Sequence, residues 1–314
     1  MPPREVVEET LSRLRSIRDP WSMEARGLLT DSLDKGSSVV VQRAAKIIAD
    51  AQLEGFEACL TGAFDRLLQG GVQADAGCGG KIAIVDALNK LGIRAEGVFL
   101  KACHHIQSEY SGDTALPLRS FAILALAEMG YSKVLEEAIE LLGDSDLAAP
   151  LGAVKALVAD GSRSALLLLR AQAVFGTNDA ELMYECLSGL LERDPSSFDF
   201  VASFMSRGWK VPAGMALTLS RRPEVFELLK RSLQGASEKE TQTLLTAMAM
   251  LRTDESLDYL FAQLNGRNMG VALQAYDALA IYQQDVDHKE RLAKAVKASK
   301  YRRLFEGPRR SWTE

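Results

Sequence analysis

Histidine is the scarcest chemistry-bearing residue in this chain. There are three in 314 residues, His104, His105 and His288, and none is followed by Glu, which excludes an iron centre built from repeated His-Glu pairs. Cysteine is nearly as sparse: Cys59, Cys103 and Cys186 fall on apolar helical stripes and Cys78 in a glycine-rich connection, and no two form a Cys-x-x-Cys pair. Four buried free thiols in a reducing compartment is the reading that spacing supports. No apolar run reaches the roughly 18 to 20 residues that span a bilayer, because Arg119, Asp146, Lys155 and Arg170 interrupt the longest candidates. The opening residues, Met1 to Glu9, lack a basic region followed by an apolar core, so no signal peptide and a cytoplasmic protein are expected.

Aromatic residues make up only 7% of the chain, against 47% hydrophobic overall. That imbalance suits helix faces built from Leu, Ala and Val. The segment Leu118 to Gly130 shows how they are used. Leu118, Ala122, Ile123, Leu126 and Met129 make one apolar stripe at helical spacing, Ala122 and Ala125 leave room for a neighbouring helix, and Gly130 stands where a left-handed cap belongs.

The same pattern recurs. Taking Gly130 as an end position, paired apolar residues stand four and five, and again seven and eight, positions earlier. The frame also fits ends at Gln52, Gly92, Gly161, Asp194, Pro223, Arg252 and Gln283, spaced 29 to 40 residues apart. Between these helices lie shorter amphipathic segments: Phe56 to Leu68, Val98 to Ile106, Val134 to Leu142, Ala165 to Val174, Val225 to Leu233 and Leu257 to Leu264. A near-constant period of this size predicts an all-α solenoid superhelix of about eight helical hairpins. The expected organisation is a capping helix over residues 1–18, a repeat array over 19–284, and a basic C-terminal helix and tail over 285–314. Asp19-Pro20-Trp21 is expected to open the second helix, with Asp as N-cap and Pro in the first turn.

The pattern resembles HEAT repeats, in which the inner helix carries an apolar residue and Arg, then Ala-Ala, Ala-Leu and Leu-Gly. Leu118-Arg119, Ala122-Ile123, Ala125-Leu126 and Met129-Gly130 carry the likeness best, followed by Lys81 to Gly92, and Arg119 and Lys81 fill the Arg position. The likeness spans about residues 20 to 284, and the short period of the second half is similar to the compact, bacterial HEAT-like variety also found in phycobilisome lyases. It implies a scaffold without catalytic residues, metal ligands or cofactor, not an enzyme, that binds a protein or peptide on the concave face of its inner helices. The residues expected to line that face are Gln42, Arg43, Lys46, Asp86, Asn89, Ser120, Tyr184, Glu185, Ser188, Gln242, Thr246, Gln274 and Asp277. They are mixed in sign, which favours protein recognition over the row of Lys and Arg that phosphate tracking requires. The alternative the resemblance implies is a tetrapyrrole-handling protein like the phycobilin lyases.

Other features carry competing readings. Five glycines between Gln69 and Gly80 suggest a phosphate cradle, but the residues at the decisive places match neither a Walker loop nor a dinucleotide fingerprint, so a flexible turn is expected. His104 and His105 end an outer helix and, with Trp209 in the loop Arg207 to Pro212, form a candidate functional patch; beside Cys103 a Cys/His ligand set is conceivable, although adjacent helical histidines diverge too far to share a metal. Residues 114–159 are apolar almost all round, which reads either as close burial within the repeats or as a self-association surface. Residues 288–314 carry nine Lys or Arg and three Glu in a chain of net charge −5. That basic tail reads as a terminal cap on an acidic body, with nucleic-acid binding as the alternative.

Overall fold

The computed structural model describes residues 4–305 apart from 111, 145 and 283. The end of the basic tail, with Arg309, Arg310 and Trp312, and the expected helix end at Gln283 lie outside the described residues. The chain is all-α but for one short strand pair and divides into two compact units, Met1–Gln172 and Ala173–Glu314, each a solenoid-type stack of helical hairpins. None of the helices is long and apolar enough to cross a membrane among the described residues.

The first unit holds α1 (Arg4–Ser16), α2 (Met23–Lys35), α3 (Ser38–Asp50), α4 (Glu57–Ala74), α5 (Gly79–Lys90), α6 (Glu96–Cys103), α7 (Leu116–Glu128), α8 (Val134–Leu142), α9 (Ala148–Asp160) and α10 (Arg163–Ala171). The odd-numbered helices α3, α5, α7 and α9 stack directly on one another. Ala44, Ala45, Ala87, Ala122, Ala125, Ala153 and Ala156 are buried along their shared faces, and small side chains let backbones approach closely. The approach is tightest between α7 and α9, where a methyl group on Gly152 would stand 2.6 Å from the Ser120 Cα. That contact helps bury the greasy stretch 114–159, although Phe121 on α7 stays 42% exposed.

The second unit holds α11 (Ala180–Arg193), α12 (Phe198–Ser203), α13 (Lys210–Leu217), α14 (Glu224–Ser232), α15 (Glu238–Leu251), α16 (Asp254–Gln263), α17 (Met269–Leu279), α18 (Val286–Ala298) and α19 (Arg302–Phe305). Here α11, α13, α15 and α17 form the stacked layer. The described part of the basic segment packs on the last hairpin. Ser299 Oγ donates to the Leu264 carbonyl at 2.6 Å, Tyr301 Oη to those of Gly266 and Arg267, and Phe305 stacks on Tyr276 at 4.8 Å between centroids.

Most stacked-layer helices stop where the repeat frame places a stop, and they do so with a left-handed residue: Gln52, Gly92, Gly130, Gly161 and Arg252 all have positive φ. Arg221 takes that role two residues before the expected Pro223. Three details differ from expectation. The second helix begins at Met23, not at Pro20, because the Ser22 hydroxyl accepts the Ala25 N–H at 3.2 Å and is the better cap. The stretch from Gln69 to Gly80 is largely helical: α4 runs through it with a break at Gly71 (φ 56°), and left-handed Gly77 and Cys78 turn the chain into α5. A two-residue antiparallel pair, β1 (Ser108–Glu109) with β2 (Gly112–Asp113), interrupts a chain expected to be all-α.

Candidate functional site

The polar residues of the stacked layers divide into those joined to a neighbouring helix and those turned to solvent. Asn89 Nδ2 donates to Glu128 at 2.6 Å, Ser120 Oγ to the Ala148 carbonyl at 2.6 Å, and Gln274 Nε2 to the Glu238 carbonyl at 2.9 Å. These three join successive layers. Ser188 is buried against its own helix, and Arg43, Tyr184, Glu185 and Thr246 are half-buried. Gln42, Lys46, Gln242 and Asp277 are exposed, and half-buried Asp86 pairs with Lys90 at 2.8 Å.

In the first unit the residue six positions before each helix end is at least partly open to solvent in every layer: Lys46 and Lys155 are exposed, Asp86 and Leu124 half-buried. Phe121, three positions before Leu124, adds an aromatic ring to that row. Sequence reasoning did not single out Phe121, Leu124 or Lys155, because all three lie in the apolar stretch 114–159, which it read as a whole, either as close burial or as a self-association surface. The signal that finds them is the shared offset from the helix stop.

The glycine-rich turn has the donors of an anion site, and the protein fills them itself. Asp75 Oδ1 accepts the Gly80 N–H at 2.9 Å and the Ser38 hydroxyl, and Oδ2 accepts the Lys81 N–H at 3.0 Å, so a carboxylate already occupies the α5 N-terminus. The Gly77 N–H goes to Glu109 Oε1 at 2.7 Å. Lys81 Nζ is fully buried, 3.2 Å from Asp75 and 2.9 Å from Gln107 Oε1. Gln107 in turn donates to the Asp75 carbonyl and to Glu109. A phosphate would have to displace two internal carboxylates.

Arg119, the other residue at the repeat's Arg position, is 6% exposed and spans three partners: Asp113 at 2.6 Å, Asp144 at 2.9 Å and the His105 carbonyl at 3.0 Å. His105 lies 3.4 Å from Gln107, and burial lowers its pKa against the raising effect of that contact. His104 turns the other way, toward Glu137 on α8. Trp209 belongs to the second unit and is half-buried at the start of α13. Cys78, Cys103 and Cys186 are buried free thiols and Cys59 is half-buried. Burial, reinforced by Glu137, pushes the Cys103 thiol up to about 12, which keeps it protonated and unreactive at neutral pH.

No family model and no curated protein matches the sequence. Among solved structures, the chain is similar to one in the complex of CpcE and CpcF of phycocyanin lyase from Nostoc sp. PCC7120. The identity is 17%, the match covers 90% of this chain and 97% of the other, and the TM-score is 0.36. The expectation that this chain is not an enzyme is corrected on that finding, since the solved chain is part of a lyase, and the lyase activity named is that of the solved protein.

Proposed function

We propose that the chain binds a protein partner on the exposed row of its stacked helices, and that the first unit carries a self-sufficient part of that surface through Lys46, Asp86, Phe121, Leu124 and Lys155. The observation that supports this reading is the repetition itself: one side chain per layer, at one offset, exposed at Lys46 and Lys155 and half-buried at Asp86 and Leu124, on helices stacked layer upon layer. Regular spacing of this kind offers a partner evenly placed anchors, and a repeat array is suited to extended recognition. An exposed aromatic suits the centre of an interface, and charges of both signs around it suit the polar rim. Gln42 and Arg43 border the row in the first unit, while Tyr184, Glu185, Gln242, Thr246 and Asp277 are the corresponding candidates in the second; Asn89 and Gln274 are already engaged between layers.

The reading is tested by capture from the native cell with immobilised chain, identification of the retained protein, and titration of the two purified components. Phe121→Ala combined with Lys46→Glu weakens binding by about 30-fold or more, since a central anchor is worth about 2 kcal/mol or more. Affinity unchanged by that pair of substitutions eliminates this face.

A further inference from the structure

We propose that His104, Glu137 and Glu140 form a binding site for a divalent transition-metal ion on the outer side of the first unit, away from the stacked row. Glu137 and Glu140 stand three residues apart on α8 and so share one helix face. His104 reaches them from the end of α6, one repeat earlier in the chain. Its Nε2 is 2.8 Å from Glu137 Oε2 and its Nδ1 4.0 Å from Glu140 Oε2. One ligand atom from each residue falls within 4.8 Å of the others.

The contact between His104 and Glu137 is what points to an ion. Glu137 Oε2 is buried and receives no hydrogen bond, although an imidazole nitrogen stands 2.8 Å away. A buried carboxylate oxygen without a donor is costly. Two lone pairs at that separation repel unless a cation lies between them. The imidazole is not aligned to place an N–H on the line to the oxygen, whereas a metal held by both atoms lies off that line, at about 2.0 to 2.2 Å from each. One neutral imidazole and two carboxylates balance a doubly charged cation, and this mixed donor set suits Zn²⁺ and neighbouring first-row ions.

The ligands are also held in place. The His104 backbone N–H donates to the Leu100 carbonyl at 3.2 Å, and the next carbonyl, that of His105, is gripped by Arg119. The two glutamates sit on a regular helix. His104 and Glu140 remain open to water, at 55% and 72% side-chain exposure, so solvent completes the coordination and an ion has a way in.

The test uses the full chain, stripped with chelator and titrated calorimetrically with ZnCl₂, with Co²⁺ as an optical reporter through its visible d–d bands. The expected result is one Zn²⁺ per chain. His104→Ala abolishes it along with the Co²⁺ spectrum, Glu137→Gln weakens it by about ten-fold or more, and His288→Ala leaves it unchanged. Glu140→Gln, at an exposed position that does not threaten folding, also weakens binding, and circular dichroism confirms equal helix content throughout. Absence of Zn²⁺ binding by the intact chain overturns the assignment. So does wild-type affinity in both His104→Ala and Glu140→Gln.

Discussion

The two units use one repeat differently. Among the described residues the buried charges, Asp75, Lys81 and Arg119, all lie in the first unit. There the repeat is longer, and the additional residues build the glycine turn and the β1–β2 hairpin that satisfy those charges. The second unit relies on aromatic contacts between layers: Phe226 packs edge-on against Tyr259, Arg222 lies over Phe198 at 4.3 Å, Arg291 over Phe261 at 4.0 Å, and the Tyr282 hydroxyl donates to the Ala249 carbonyl. A long repeat can enclose ions because it has backbone to spare for coordinating them. A short one has room only for rings and stems.

The hardest test of that contrast is to remove one buried charge. Lys81→Met leaves Asp75 buried without its cation, and breaking a buried pair in this way costs about 3 to 5 kcal/mol. Lys81→Met with Asp75→Leu removes both charges and recovers part of that loss, the remainder reflecting the Gly80, Lys81 and Ser38 donors that Asp75 no longer satisfies. Hydrogen exchange read by mass spectrometry locates the effect: α4 to α7 lose protection in the single variant while α13 to α17 keep theirs. Uniform loss across both units would show that the pair supports more than its own repeats.

The ionic turn also predicts a smaller, pH-dependent difference. Burial lowers the pKa of His105. Glu109 is held low by the Thr114 hydroxyl, then by the Gly77 N–H and the Gln107 amide. At Asp113 burial acts upward, but the N–H groups of Gln107 and Ala115 together with Arg119 prevail and hold the carboxyl low. All three groups take up protons less readily in the folded than in the unfolded chain, so their contributions are present at neutral pH and lost on acidification. The His105 contribution fades as pH falls below about 6.5, the unfolded value, and those of the carboxylates fade below about 4. The lowered carboxyls of the second unit, Glu240 and Asp285, belong only to the lower step. Hydrogen exchange corrected for its intrinsic pH dependence therefore shows α5 to α7 weakening by pH 5.5, ahead of α15 and α17, and His105→Asn removes that first step.

The stacked layer was legible because its signal is periodic: Ala-Ala and Ala-Leu pairs ahead of a Gly or a long polar residue specify both the buried face and the helix stop. The glycine stretch was misread because the glycines suggested a flexible turn, while Gln107 and Glu109, which help order it, lie about thirty positions away. The His104, Glu137 and Glu140 cluster escaped for the same reason, since its members stand one repeat apart and no local motif joins them. Among the candidate partner residues, sequence frame gave the right helices but could not separate Ser120 and Gln274, which are used between layers, from Lys46, which is not buried. Only the third dimension decides which polar side chain a neighbouring helix claims.

The helix stops offer the finest distinction between the units. Gly92, Gly130 and Gly161 end three of the stacked helices of the first unit with positive φ and Gln52 ends a fourth, whereas Arg221 and Arg252 do so in the second. A left-handed conformation costs a non-glycine residue roughly 1 to 2 kcal/mol, and glycine adds roughly 0.5 to 1 kcal/mol of backbone entropy to the unfolded chain. Arg221→Gly, at an exposed position, should therefore stabilise the second unit by about 0.5 kcal/mol in denaturant unfolding. Arg252→Gly should gain less, because Arg252 lies over the Tyr282 ring at 5.8 Å and a partly exposed contact of that kind is worth about 0.5 kcal/mol. Equal gains at the two sites would mean that the Tyr282 contact contributes nothing. A loss at Arg221 would mean that an arginine stem covers its helix end better than an absent side chain relieves it, and that the second unit uses arginine there for packing.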